Sequence, residues 1–317
     1  MKQLFVAVLL LVGASLSGCA PPSEPLRIVS SPWPGYEPLY LARDLGYLDN
    51  RSVRLNEMPS SNITWEAFNN GSADIATLTL DETLSLLDQG RKLRIMAVMD
   101  ISNGADVVMA RPGIDSLPEI KGKRIGIVNI PLGVFMLART LERAGLTSAD
   151  VTVLQIPEDK HEKAYRNGQI DVAITFEPFK THLANAGARV LFDSSQIPDE
   201  IFDLLLVRED VYNSRRDEVC EVTRQWFLTQ DYIRNNREQA YNHMGKRLNT
   251  DGATFALMLE GLKVPDRSES RRLLGGETPA ILEPARRLAK IMLNENLIRN
   301  PVDPSAVIAP ELQGCMQ

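Results

Sequence analysis

The phrase NGSADIA occupies residues 70–76, and 97 residues later the chain reads NGQIDVA at residues 167–173. In both copies an Asn-Gly pair, which accepts the left-handed backbone of a helix end, is followed after two further residues by an aspartate, Asp74 in the first copy and Asp171 in the second. Apolar, strand-forming residues follow, continuing as TLTLDE in the first copy and ITFEP in the second. We interpret each copy as a helix end followed by a buried strand. The echo therefore predicts two α/β lobes of similar design and is not a catalytic signature.

Short β-branched runs alternate with amphipathic segments on both sides of the two phrases. In the first half, the predicted strands are residues 27–31, 53–58, 74–80 and 93–100. In the second half they are residues 124–130, 151–156 and 171–176, with helices between them. Strands that alternate with helices of this length predict mostly parallel sheets covered by helices.

The order of these segments predicts an α/β clamshell with two lobes. Lobe I is expected to combine residues 26–108 with 206–317, and lobe II to comprise residues 109–205. The chain would cross between the lobes twice, with hinges near Val108–Arg111 and Asp199–Asp203. After the second crossing, apolar residues at helical spacing predict a helical C-terminal return that buries Trp226.

The N-terminus has the pattern of an export signal. Lys2 precedes an apolar run at Leu4–Val12, which is too short for a membrane-spanning helix of about 20 residues. The following Leu-Ser-Gly-Cys resembles the bacterial lipobox, which implies lipidation of Cys19 and a membrane anchor on the periplasmic side. Residues 1–18 would then be a lipoprotein signal peptide and residues 19–25 a lipidated tether. An ordinary secretory signal with an incidental cysteine is the alternative.

Composition narrows the classes of partner. Without residues 1–18, 34 basic residues stand against 41 acidic ones, a net charge of about −7 with no basic block. This balance argues against nucleic acid as a partner. Export to an oxidising compartment allows a disulfide between Cys220 and Cys315, although two free thiols explain the same sequence.

Several phrases in order resemble one protein family. They are WPGYEPLYLARDLGYLD (33–49), SLPEIKGKRIGIV (116–128), NGQIDVAITFEPF (167–179) and LLVREDVY (205–212), together with NGSADIA. The chain resembles the periplasmic substrate-binding proteins of bacterial ABC importers, in the nitrate/sulfonate/taurine-type and pyrimidine-precursor-type branch. The resemblance covers residues 26–310. It implies a monomer that encloses a small molecule between two lobes and meets an ABC permease, but it does not name the ligand.

Candidate ligand-binding residues follow from the rule that ligands lie beyond the carboxyl ends of parallel strands. These positions are Ser31, Trp33, Tyr36, Asp81, Asp100, Asn103, Asn129, Glu177 and Asp203. Some have a structural alternative. Thr79-Leu80-Asp81-Glu82 fits a capping box, Glu177 lies at a helix start before Pro178, and Asp100 opens a turn-rich segment. Trp33 is either an aromatic wall of the site or a packing residue between the lobes.

The candidate positions carry acids, amides and aromatic rings, but no lysine, arginine or histidine. A binder of nitrate, sulfonate or sulfate needs positive charge or convergent N–H donors. Acids that share one cleft repel each other unless a cation or a donor-rich ligand balances them. We therefore expect an uncharged or cationic, nitrogenous small molecule.

Other functions have weaker sequence support. Enzymes share this architecture, but no catalytic motif is present; in HEKAY, Tyr165 stands where a zinc-binding H-E-x-x-H would have its second histidine. We expect no metal, no cofactor and no catalysis. A ligand-sensing lipoprotein that feeds a membrane receptor is the remaining alternative, because it would use the same clamshell.

Overall fold

The computed structural model describes residues 24–316. The predicted signal peptide, the lipidation at Cys19 and most of the tether lie outside the described residues. Among residues 24–316, no helix combines the length and the apolar character needed to cross a membrane.

Strands and helices alternate along the chain as the sequence predicts. The strands are β1 (Leu26–Ser30), β2 (Val53–Glu57), β3 (Ile75–Thr79), β4 (Leu93–Ser102), β5 (Asp106–Ala110), β6 (Arg124–Ile127), β7 (Thr152–Gln155), β8 (Val172–Phe176), β9 (Arg189–Asp193), β10 (Phe202–Arg208) and β11 (Leu262–Lys263). The helices are α1 (Glu37–Asp44), α2 (Ser61–Asn69), α3 (Leu80–Asp88), α4 (Pro131–Ala144), α5 (His161–Arg166), α6 (Phe179–Asn185), α7 (Glu209–Ser214), α8 (Arg216–Asn235), α9 (Arg237–Arg247), α10 (Gly252–Glu260), α11 (Arg267–Leu274) and α12 (Leu282–Asn294).

The strands form two sheets with the same internal design. The first sheet has the order β11-β4-β10-β3-β1-β2, and the second has the order β7-β6-β8-β5-β9. In each sheet the strand that follows a crossing between the lobes, β10 in the first and β5 in the second, runs antiparallel to both of its neighbours. In the first sheet, β4 also pairs antiparallel with the edge strand β11. The sheets are thus mixed, whereas the sequence pattern predicted mostly parallel pairing.

The reversed strands arise because the chain leaves one lobe and enters the other at the ends that face the cleft. A strand that starts at the cleft must run away from it, opposite to its neighbours. Strand β5 (Asp106–Ala110) belongs to the second sheet, and β10 (Phe202–Arg208) belongs to the first.

The expected lobe boundaries therefore need correction. Residues 106–108 belong to lobe II and residues 202–205 to lobe I, so the crossings lie at residues 103–105 and 194–201. The expected hinge at Val108–Arg111 lies largely within a buried strand, because DVVMA enters the second sheet at once after a short turn. The expected hinge at Asp199–Asp203 overlaps the end of the second crossing.

The repeated phrase has a repeated structural role. The backbone N–H of Arg27 donates to Asp74 Oδ2 at 2.9 Å, and the guanidinium of the same arginine binds both carboxylate oxygens. In the second lobe, Arg124 binds Asp171 in the same way, with its backbone N–H 3.0 Å from Oδ2. Each aspartate thereby ties the start of its own strand to the start of the neighbouring strand, at the ends remote from the cleft.

We expect Asp171→Ala to lower the free energy of unfolding by about 1–2 kcal/mol, because it removes the acceptor for one backbone N–H and a partly exposed guanidinium. Asp74→Ala should have a similar effect in the first lobe. Urea-induced unfolding followed by circular dichroism measures both changes. Asp115→Ala, whose side chain is 67% exposed, is the control, and equal losses in all three variants would contradict the structural role.

The C-terminal segment returns to the first lobe and is held there by a disulfide. Helix α8 buries Trp226, and the segment Pro310–Met316 packs against α8 and α11. The sulfur atoms of Cys220, in α8, and Cys315 are bonded, with their Cα atoms 5.0 Å apart. The structure thus contains the disulfide, whereas the sequence alone was also compatible with two free thiols.

Replacing both cysteines with serine should lower the free energy of unfolding by about 2–4 kcal/mol, because the bridge closes a long loop in the unfolded chain. Thermal melting with and without dithiothreitol measures this loss. The reductant should destabilise the wild-type protein and leave the double variant unchanged. If the wild-type protein and the double variant melt at the same temperature without dithiothreitol, the bridge contributes nothing to stability.

Candidate ligand-binding cleft

A cavity lies between the lobes, where the cleft-facing ends of the two sheets meet. It is narrow, with about 30 Å³ open to water-sized molecules, or roughly one or two waters. A larger ligand therefore enters only if the lobes separate. The lining residues are Ser31, Pro32, Trp33, Tyr36, Ser61, Thr77, Leu78, Thr79, Glu82, Asp106, Ile130, Leu132, Phe176 and Asp203.

The turn after β1 places two aromatic side chains over the cavity. The N–H of Tyr36 donates to the carbonyl of Trp33 at 3.0 Å, and the Trp33 indole Nε1 donates to Asp100 Oδ2 at 3.0 Å. A Cβ atom on Gly35 would lie 1.8 Å from Asp100 Oδ2, so the tight turn needs glycine at this position. Trp33 also meets Phe176 of the second lobe edge-on, with ring centroids 5.9 Å apart. The aromatic wall therefore joins both lobes.

Two buried carboxyl groups face each other at the cleft end of the first sheet. Asp203 on β10 pairs in register with Asp100 on β4 and with Thr79 on β3. The hydroxyl of Tyr36 donates to Asp203 Oδ1. Burial raises the pKa of Asp100 to about 7, and burial together with the charge of Asp100 raises the pKa of Asp203 well above its usual range. This pair therefore retains a proton where isolated aspartates are ionised.

Helix α3 supplies two further acids. Glu82 Oε2 accepts the backbone N–H of Thr79 at 2.8 Å and its hydroxyl at 3.1 Å, which completes the predicted capping box. Glu82 Oε1 remains without a partner, and Glu82 lines the cavity. Asp81 is fully buried beside it with both carboxylate oxygens unpaired, and burial raises the pKa of Asp81 to about 6. Helix α3 thus contributes Glu82 to the cavity lining, and the predicted Asp81 lies beside it.

The second lobe contributes an acid that the sequence analysis missed. Asp106, the first residue of β5, is 2% exposed and lines the cavity. Its Oδ2 atom has no hydrogen-bond partner. Burial, followed by the charge of Asp203, raises the pKa of Asp106 to about 8. The available signal was an aspartate directly before an apolar run, but the run itself was not predicted as a strand.

The structure brings some of the candidate residues together and leaves others apart. Ser31, Trp33, Tyr36 and Asp203 line the cavity, and Asp100 lies directly behind Trp33. Asp81, beside Glu82, lies outside the lining. The remaining candidates, also outside it, are Asn103, Asn129 and Glu177.

Each of these three residues has another environment. Asn129 is exposed. The backbone N–H of Asn103 donates to the carbonyl of Gly261 at 2.7 Å, in the first crossing. Glu177 accepts the N–H of Thr181 at 3.2 Å and lies 3.6 Å from Lys180 Nζ. Glu177 thus lies at a helix start, which is the structural alternative to a ligand-binding role.

The lining has a marked charge imbalance. Its ionisable acids are Glu82, Asp106 and Asp203, and it contains no lysine, arginine or histidine. The nearby Lys180 lies outside the lining and donates to the carbonyl of Gly104 at 3.0 Å. Within residues 24–316, no group of three or more histidine, cysteine or acidic side chains has a metal-binding arrangement. The unpaired oxygens of the lining acids can accept hydrogen bonds from N–H or O–H donors.

The raised pKa values predict a pH-dependent stability for the ligand-free protein. An acid whose pKa is raised on folding stabilises the fold fully below about pH 4, and this stability is lost as the pH rises through its folded pKa. Each such group contributes a slope of about 1.4 kcal/mol per pH unit between its unfolded and folded pKa values. For Asp106 this window extends from pH 4 to about 8.

Asp106→Asn should therefore reduce the loss of stability between pH 5 and 7 by about 1.4 kcal/mol per pH unit. Urea unfolding of ligand-free protein at pH 5, 6 and 7 measures the slope. Asp115→Asn, on the surface, should retain the wild-type slope. Parallel slopes for all three proteins would show that Asp106 is not protonated on folding.

Comparisons with known proteins agree with this architecture. A family model described as NMT1/THI5 like matches residues 33–239. A Brucella abortus protein named only as a binding protein is 26% identical over 169 residues, covering 52% of each chain, so the match spans about half the length of the curated relatives.

Solved structures share the fold. The alkanesulfonate-binding protein SsuA from Xanthomonas axonopodis pv. citri, bound to MOPS, matches with a TM-score of 0.76 and 18% identity, over 92% of this chain and 99% of that chain. The desulfurization enzyme DSZB matches with a TM-score of 0.65 and 17% identity, over 92% of this chain and 98% of that chain. The predicted resemblance is thus confirmed in family and fold. Because the family model covers well over half of the sequence, the chain belongs to the NMT1/THI5-like family and has the two-lobed fold of periplasmic substrate-binding proteins.

Proposed function

We propose that the protein is an extracytoplasmic solute-binding lipoprotein of an ABC importer. It encloses an uncharged or cationic, nitrogenous small molecule between its lobes and delivers it to a membrane permease. The family and the fold support the binding role. The observation that carries the ligand class is the cavity lining, which has three acids and no basic side chain.

The electrostatics of the cavity favour a donor-rich ligand. Glu82 Oε1, Asp106 Oδ2 and Asp203 Oδ2 are buried acceptors without partners, and they come from both lobes. Ligand N–H groups would satisfy these oxygens and favour their ionised forms, whereas an anion would add repulsion. Trp33 and Phe176 offer faces and edges for a flat ring or a cation. On this argument, a sulfonate such as the MOPS of the SsuA structure fits the lining less well than a nitrogenous ligand does.

Binding would couple to closure of the lobes. Glu82 and Asp203 belong to the first lobe, and Asp106 and Phe176 belong to the second, so only the closed form completes the site. Closure removes water, which strengthens each polar contact. The first crossing contains Gly104 with φ of 123°, a conformation that suits glycine and that lets the chain turn sharply between the lobes.

Catalysis has less support than binding, although DSZB shows that the fold can host an enzyme. The cavity lining contains no cysteine, histidine or lysine, so a nucleophile or a neutral-pH base would have to come from carboxyl and hydroxyl groups. The lipid anchor at Cys19 and the monomeric state belong to this proposal. A sensor role with a membrane receptor would use the same cleft and ligand.

The test combines mass spectrometry of compounds that co-purify with native protein and a thermal-shift panel. Benzamidine, 4-aminopyridine and aliphatic amines should raise the melting temperature more strongly at pH 8 than at pH 6, because Asp106 in the lining and Asp100 behind Trp33 ionise over this range. Asp203→Asn should lower the affinity for these compounds at least about tenfold and thereby reduce the rise in melting temperature.

Taurine, methanesulfonate and nitrate are the anionic arm of the same panel. Stabilisation by these compounds, with none by the nitrogenous compounds, would overturn the ligand class. Absence of any bound or stabilising small molecule would overturn the binding role itself. Asp115→Asn, on the surface and outside the cavity, is the control for nonspecific effects of substitution.

A further inference from the structure

One hydrogen bond joins the lobes next to the cavity. Glu158 lies in the second lobe, between β7 and α5, and its Oε1 atom accepts the backbone N–H of Ser61 at 2.5 Å. Ser61 is the first residue of α2 in the first lobe and lines the cavity. Glu158 is 1% exposed, so the contact is enclosed by both lobes.

The contact supplies a cap that helix α2 does not supply for itself. The first N–H groups of a helix have no acceptor within the helix and carry the positive end of its dipole. Ser60 occupies the capping position, but its hydroxyl donates to Asn62 Oδ1 at 2.6 Å and caps no backbone N–H. The carboxylate of Glu158 therefore acts as the cap, from the opposite lobe.

The energetics of this contact depend on closure. Burial raises the pKa of Glu158, and the hydrogen bond from Ser61 opposes that rise. Glu158 Oε2 and Ser61 Oγ are both buried without partners. If the lobes separate, the carboxylate returns to water and α2 loses its cap, so the favourable hydrogen bond exists only in the closed form.

The position of the contact follows from the internal repeat. Ser61 and Glu158 are separated by 97 residues, the same interval that separates Arg27 from Arg124. Ser61 begins the helix that follows β2, and Glu158 lies in the segment between β7 and the helix that follows it. The lobes thus meet through equivalent points, and a serine N–H in one faces a carboxylate in the other.

We propose that Glu158 is an interlobe latch that caps α2 only in the closed form and thereby raises the population of that form. The latch rests on the proposed function insofar as that function requires closure, but it does not depend on which ligand binds. Glu158 is a positioning residue, because it acts on the ligand through Ser61 and the lobe geometry.

Two variants remove the latch from opposite sides. Glu158→Ala removes the acceptor. Ser61→Pro removes the N–H donor at the first helical position, where proline is well tolerated, and Ser60 already has the extended backbone that precedes proline. Ser61→Ala keeps the N–H and is the matched control for loss of the hydroxyl. Glu162→Ala, on exposed α5 surface, is the control for loss of a nearby acid.

The readout is the interlobe distance from double electron–electron resonance between spin labels at Glu66→Cys and Lys163→Cys, with Cys19 replaced by serine. The distances are measured on natively purified protein and on protein stripped of bound ligand, so that the ligand-bound and ligand-free states are both covered. Glu158→Ala and Ser61→Pro should each lower the closed-to-open ratio about tenfold relative to the controls. The double variant should lower it no further, because both changes remove one contact.

Circular dichroism melting confirms that each variant is folded, and Glu158→Gln gives a milder second acceptor variant. If the latch variants and the controls give the same distance distributions in both preparations, the latch proposal is wrong. Additive effects in the double variant would also overturn it. These outcomes involve no added compound, so they are distinct from failure of the thermal-shift panel, which concerns the proposed function.

Discussion

The chain has to pass between the lobes twice, at the ends of the sheets that face each other, and this constraint organises the whole molecule. After each passage the chain forms a strand that starts at the cleft and runs antiparallel to its neighbours. Strand β10 brings Asp203 between β3 and β4, and β5 brings Asp106 into the second sheet. Each of these two strands is therefore an inner member of one sheet and also carries one of the cavity acids.

This arrangement places several carboxyl groups in a part of the protein that little solvent reaches. Carboxyl groups in such a place are costly in their ionised form, and the protein offsets the cost with only a few donors, the Trp33 indole and the Tyr36 hydroxyl among them. The remaining acceptors are left for whatever occupies the cavity. The ligand is then part of the electrostatic balance of the closed form, and selectivity follows from which groups can supply N–H donors.

The sequence predicted most of the fold because its local signals agree with its periodicity. Asn70-Gly71 and Asn167-Gly168 mark helix ends, and the strands after them were predicted within a residue or two. Strand β5 was missed because DVVMA has no alternation and follows a short turn, so it was assigned to the preceding lobe. Sheet order and strand direction depend on contacts between distant segments, which no local pattern specifies.

The site was predictable where strand ends alone determine position. Ser31, Trp33 and Tyr36 follow that rule, and Asp203 was expected from the returning crossover, whereas Asn129, directly before the lining residue Ile130, is exposed. Ile130, Leu132 and Phe176 were missed because an apolar residue that lines a cavity has the same sequence signature as one in the core. Glu82 was read only as a cap, although one of its two oxygens caps and the other is free.

The second lobe is one continuous stretch of chain inserted into the first, and this has a consequence for biosynthesis. Its sheet contains only strands from residues 106–193, so it can assemble as soon as that stretch has emerged. The first sheet must wait for β10, since without it β3 and β4 have no strand between them. The strands of the inserted lobe are therefore all available before those of its host.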